Sequence, residues 1–168
     1  MRTHSWKTAR VLETARGQRW QLAALTDMHG FPGDDTVKVY CIEEFAIVTS
    51  GRVGIMMAPA LVRKWDEQER KVIVKQDRII AIPFLALGVT HWFTAAYAPT
   101  QGYPEGRQNF FDALSEAWVE MAGVKMLAGD WNSHVGADSA SVVTGDCLID
   151  RKTSGQSYNF VRCMSYSS

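Results

Sequence analysis

A chain of 168 residues, 46% of them hydrophobic, can bury one sizeable core and is short for two. Eighteen Lys and Arg balance eighteen Asp and Glu, so the overall field neither attracts nor repels a polyanion, and any nucleic-acid contact must come from a local patch. Three widely spaced cysteines, Cys41, Cys147 and Cys163, form no Cys-x-x-Cys pair of the zinc-binding kind and suit a reducing, intracellular setting, nucleus or cytoplasm. No run approaches the roughly 20 apolar residues of a membrane span, and the first six residues carry no secretory apolar stretch.

Residues 6–16 place Val11, Leu12 and Ala15 on one side of a polar segment, which predicts a surface helix ended by Gly17. The run at 20–25 is a buried strand that gives way to polar Thr26-Asp27-Met28-His29. A turn at 31–35 leads to strands at 37–41, 45–49 and 53–58, joined as hairpins through Glu43-Glu44 and Ser50-Gly51-Arg52. Arg63, Lys64, Arg70, Lys71 and Lys75 interleave with Asp66, Glu67 and Glu69, predicting a solvated hairpin rather than a DNA groove. Residues 71–75 alternate, 78–87 are β-rich despite Pro83, and 90–97 are β-branched and aromatic, with His91 a strand residue whose ring nitrogen is satisfied.

Pro104 opens a helix in which Phe110, Phe111, Leu114, Ala117, Trp118 and Met121 recur at helical spacing, with Phe111 and Trp118 expected in its core. Gly123 closes it. Residues 124–128 form a short buried strand that runs into Gly129-Asp130-Trp131-Asn132. Residues 133–154 are a predicted loop and 156–164 a last helix. There is no repeat, linker or low-complexity tract, so residues 1–168 are taken as one domain.

Two strands thus deliver a carboxylate at their ends, Asp27 and Asp130, with Asn132 projecting from the second turn. Taken singly these are turn residues, and a tyrosine such as Tyr97 at a strand end is a core residue with a solvated hydroxyl. Phosphodiester hydrolysis needs one or two carboxylates to hold a divalent ion that neutralises the phosphoryl group, and the two acidic strand ends are candidates for that work.

The segment Leu127-Ala128-Gly129-Asp130-Trp131-Asn132-Ser133-His134-Val135-Gly136 resembles the Gly-Asp-Phe-Asn signature of the DNase I and apurinic-endonuclease group, the endonuclease/exonuclease/phosphatase superfamily. Ala95-Ala96-Tyr97-Ala98-Pro99-Thr100 resembles the Tyr-Ala-Pro segment of its non-LTR retrotransposon branch, and Leu22-Ala23-Ala24-Leu25-Thr26-Asp27 the stretch that ends in its metal-binding Glu. Gly51-Arg52-Val53-Gly54-Ile55 and Asp77-Arg78-Ile79-Ile80 look like the intervening strands. The resemblance implies a four-layer α/β/β/α sandwich of two mostly antiparallel sheets and a Mg2+- or Mn2+-dependent endonuclease acting on DNA. Asp27 would hold the metal, Tyr97 would touch the scissile phosphate, and Asp130 with Asn132 would orient water and phosphate.

By the same resemblance, the family's first strand and its Asn would precede Met1, and its Ser-Asp-His motif would follow Ser168. The sandwich is therefore expected to be incomplete and the catalytic set partial, with no role passed to His29 or His134. Exposed sheet edges would favour self-association, with no obligate protein partner and no membrane. Two alternatives stay open, a non-catalytic fragment or interaction module and a phosphatase for a small phosphoester; six Trp also suggest a carbohydrate-binding β-sandwich, against which the Gly-Asp-Trp-Asn spacing argues.

Overall fold

The computed structural model describes residues 6–28, 36–100, 102 and 104–132. The predicted turn at 31–35, loop at 133–154 and helix at 156–164, together with His29 and His134, lie outside them. Helix α1 spans Trp6–Gly17, α2 Pro59–Asp66 and α3 Pro104–Glu120. The strands are β1 Leu22–Thr26, β2 Lys38–Ile42, β3 Phe45–Ser50, β4 Val53–Met57, β5 Ile73–Lys75, β6 Ile79–Ala86, β7 Val89–Tyr97 and β8 Val124–Asp130. One sheet has the order β1-β4-β3-β2, the other β5-β6-β7-β8, and only the β7–β8 pairing is parallel.

Period-two alternation explains how these sheets stack. Ala46 and Val48 of β3 and Val53, Ile55 and Met57 of β4 meet Ile80, Ile82 and Phe84 of β6 and Phe93 and Ala95 of β7 in one central core. The alternate residues point outward. Phe45, Ile47 and Met56 pack with Leu12 and Ala15 of α1, while Ile79, Ala81, Trp92 and Ala96 pack under α3 through Phe110, Ala113, Ala117 and Met121. The layers are therefore α1, sheet, sheet, α3, as the sequence leads one to expect of this fold class. Both central strands β3 and β4 are buried along their whole length, which is why they read as nearly continuous apolar runs.

Two expectations are corrected. Residues 59–66 are not part of a hairpin but helix α2, with Pro59 in its first turn, where a missing N–H costs nothing. Its Leu61, Val62 and Trp65 pack on the central core while Arg63 and Asp66 face solvent, so the charge interleaving belongs to an amphipathic helix. In α3, Phe110 is fully buried whereas Phe111 is 39% exposed and Trp118 half-buried. His91 holds its expected place, with Nδ1 2.9 Å from the Val89 carbonyl and its ring stacked on Phe84.

Pro83 sits in β6 without harm because β5 pairs only with Ile79–Ala81, leaving the strand locally unpaired on that side at residue 83. Lys75 ties β5 to α3 through Glu120, at 2.5 Å, and Glu116. The hydrogen bond to Glu120 raises its pKa above the ordinary lysine value, so this tether persists below that range and is lost as pH climbs through it. Trp65 donates its indole N–H to the Lys71 carbonyl at 2.8 Å, closing the loop after α2. Trp65→Phe keeps most of the ring packing and removes that bond; it should lower unfolding free energy by about 1 kcal/mol in urea denaturation.

Among the described residues no helix is long and apolar enough to cross a membrane.

Candidate phosphate-binding cleft

Three turns from the two sheets meet at one rim. The first leaves β1, where Asp27 adopts a left-handed backbone with φ 54° and the next residue, Met28, donates its N–H to the Arg52 carbonyl at 3.1 Å. Arg52 occupies the second, the β3–β4 turn, and its own N–H donates to the Asp77 carbonyl at 2.7 Å. Asp77 belongs to the third, a 3-10 turn at Gln76–Arg78 that feeds β6. Gly51 is required here: its φ is 55°, and any Cβ would strike the backbone of Asp77.

The other side of the rim is the carboxyl end of the parallel pair β7–β8. Tyr97 and Asp130 stand opposite each other in register, and the alternation of Met126, Ala128 and Asp130 with Phe93, Ala95 and Tyr97 places both on the sandwich face of the sheet. Past the strand ends, Ala98 donates its N–H to the Asp130 carbonyl at 2.8 Å. Asp130 Oδ1 accepts the Asn132 N–H at 2.9 Å, an Asx turn that stabilises the left-handed Asn132 (φ 46°), and Asn132 Nδ2 donates to the Ala98 carbonyl at 2.6 Å. The turn is thus locked by both its polar side chains.

Between these walls lies an open cleft of about 570 Å3. Arg52, Arg78, Tyr97 and Asn132 line it, with Gln76 and Asn109 at its margin. Arg78 is half-buried, its guanidinium 5.3 Å from the Tyr97 ring centroid, its Nη1 3.4 Å from the Tyr97 carbonyl and its Nε 3.5 Å from Asp77 Oδ1. Asp77 Oδ2 is also 3.8 Å from Arg52 Nε. One carboxylate therefore positions two guanidinium groups. A planar fork of N–H donors beside a phenol and an amide complements the oxygens of a phosphate or carboxylate.

Of the residues expected at the site, Tyr97 and Asn132 share the cleft. Asp130 does not line it; it stands behind Asn132 as a half-buried support. Asp27 is exposed on the same rim, linked through Met28 to Arg52, and is also not a lining residue. Arg52 and Arg78 were given no role from sequence, although both fall in the Gly51–Ile55 and Asp77–Ile80 segments that carry the family resemblance. Those segments were the available signal.

Among the described residues no three or more His, Cys, Asp or Glu side chains converge to hold a metal ion. That rules against a caged, zinc-type centre within them. Cys41 is an exposed free thiol on β2, paired with Ala46 at the end of β3 away from the β3–β4 turn.

No protein-family model and no curated protein matches this chain.

Proposed function

We propose that this chain is a metal-dependent phosphodiester hydrolase module of the endonuclease/exonuclease/phosphatase type, acting on DNA inside the cell as retroelement endonucleases do. The observation that carries the reading is the convergence of Arg78, Tyr97 and Asn132 on one cleft at the carboxyl ends of β7 and β8, where the resemblance places the scissile phosphate.

In this reading Arg52 and Arg78 hold the non-bridging oxygens, and the Tyr97 hydroxyl and Asn132 amide donate to the same group. Asp130 commits Oδ1 to the Asn132 backbone and keeps its second oxygen to accept a proton from the attacking water. Asp27 would hold Mg2+ or Mn2+, which would neutralise phosphoryl charge and lower the pKa of bound water.

Among the described residues the one histidine, His91, is held near the opposite end of β7, so no imidazole of theirs serves this cleft. The same observation favours a second reading, a module that binds phosphodiesters without cleaving them.

Incubation with supercoiled plasmid and, separately, with p-nitrophenyl phosphate, each in Mg2+ and in EDTA, distinguishes the readings. Mg2+-dependent nicking without ester hydrolysis is expected. Ester hydrolysis without nicking would make it a phosphatase. Binding of DNA that weakens with salt and falls about tenfold or more in Arg78→Ala, without turnover in either assay, would make it a binding module. Absence of both binding and turnover sinks the proposal.

A further inference from the structure

The first turns of α3 face two hollows at once. Gly106 and Asn109 border the cleft already described, whereas Pro104, Arg107, Gln108 and Phe111, spaced i, i+3, i+4 and i+7, line a separate shallow depression of about 410 Å3. Arg107 links this depression to a segment beside the cleft, formed by Pro99 and the Trp131–Asn132 turn. Arg107 Nη1 reaches both parts of it, 3.0 Å from the Pro99 carbonyl and 3.5 Å from that of Trp131, while Pro99 and Asn132 line the cleft.

Arg107 is therefore not a solvated surface cation. Its guanidinium is pinned by two carbonyls and lies 5.7 Å from the ring centroid of Phe111, giving a flat cation layered on an aromatic face. Phe111 is 39% exposed and meets the fully buried Phe110 edge-on at 5.3 Å between ring centroids, so it is anchored to the helix core while part of its ring stays open to the depression. Gln108 is held to Asp112 at 2.9 Å, which keeps one edge of the depression polar.

From this geometry we infer that the Arg107–Phe111 depression is a nucleobase subsite: it receives an unstacked base of the nucleotide next to the phosphate bound in the Arg78–Tyr97–Asn132 cleft. The inference rests on the phosphodiester reading and deepens it, since it specifies single-stranded or locally unpaired nucleic acid over a continuous duplex. A base inside an intact helix presents no face to stack, whereas an extruded one presents a π-surface that fits either a guanidinium plane or an aromatic ring. Stacking is tolerant of sequence, so the subsite selects for an accessible base and not for its identity.

The test compares binding of a single-stranded mixed-sequence octamer with an abasic, tetrahydrofuran-backbone octamer of equal charge, by fluorescence anisotropy without added divalent metal. The full-length chain should prefer the base-bearing strand by roughly tenfold. Phe111→Ala should bring that ratio close to one, and Phe111→Trp should keep or increase it, which separates lost stacking from a damaged fold. Arg78→Ala should weaken both strands together.

If Phe111→Ala leaves the ratio unchanged while Arg78→Ala still weakens both ligands, the base subsite is wrong and the phosphate cleft stands. A ratio of one in the parent chain has the same meaning. Should neither strand bind, or Arg78→Ala bind like the parent, the underlying phosphodiester reading fails and the subsite falls with it.

Discussion

Gly129→Ala is expected to destroy the cooperative fold, with a loss of about 4 kcal/mol or more. Gly129 is paired with Ala96 across the parallel β7–β8 ladder and is buried. A Cβ built on it meets the main chain of Ala96, including its carbonyl oxygen and, at 2.8 Å, its carbonyl carbon. No flexible side chain can move aside, so the strands must separate. That breaks the neighbouring pairs Ala95–Ala128 and Tyr97–Asp130 and displaces the turn carrying Asn132. Gly17→Ala, with nothing within 4 Å of its added methyl, is the control and should change stability little. A Gly129→Ala protein melting within a degree or two of the parent by circular dichroism would refute the close approach of β8 to β7.

The largest functional effect is expected at Asn132. Removing its amide should slow phosphodiester turnover by about 10²- to 10³-fold, the usual cost of deleting one preorganised donor to an oxyanion. Alanine alone confounds two effects, because Asn132 sits at φ 46°, where a residue without a local hydrogen bond is strained by roughly 1–2 kcal/mol. Asn132→Gly removes the amide and relieves that strain. Both variants should therefore lose the same activity, while the glycine variant keeps more of the parent's thermal stability. Asp130→Ala is expected to match them in rate, since it takes away both the Asx contact and the proton acceptor. Unchanged turnover in Asn132→Gly, measured on plasmid nicking, would leave the side chain a purely structural clasp for the Ala98 carbonyl.

What the sequence displayed and what it concealed divide along physical lines. Strands β3, β4 and β8 were readable because burial on one or both faces writes a period or an apolar run directly into the chain. Helix α2 was not, since eight residues give barely two turns of periodicity and Arg63, Lys64 and Asp66 obscure the stripe of Leu61, Val62 and Trp65. Phe110 and Phe111 illustrate a different limit. Both belong to plausible apolar stripes of α3, one continuing to Ala113, Ala117 and Met121 and the other to Leu114 and Trp118, and only the packing against β6 and β7 decides which ring is buried.

The site was half legible. Asp130, Tyr97 and Asn132 carry motif context at strand ends, so their placement there could be anticipated, though not the pairing that sets Tyr97 opposite Asp130. Arg52 and Arg78 lie just outside strands belonging to different sheets, and no spacing along the chain says that a β3–β4 turn and a 3-10 turn before β6 will share a carboxylate. Asp27 shows the converse: its position at the end of β1 was anticipated, but the left-handed turn leaves it exposed on the rim rather than lining the cleft.

The main-chain bonds running from Met28 to Arg52 and from Arg52 to Asp77 carry a consequence for how such a molecule can diverge. Because peptide groups of residue 52 make these two bonds whatever side chain it carries, the identity at 52 can be exchanged without undoing the clamp between the turns. Selection can therefore alter what this opening prefers to hold, even its preferred electrical sign, while the scaffold around it stays as it is.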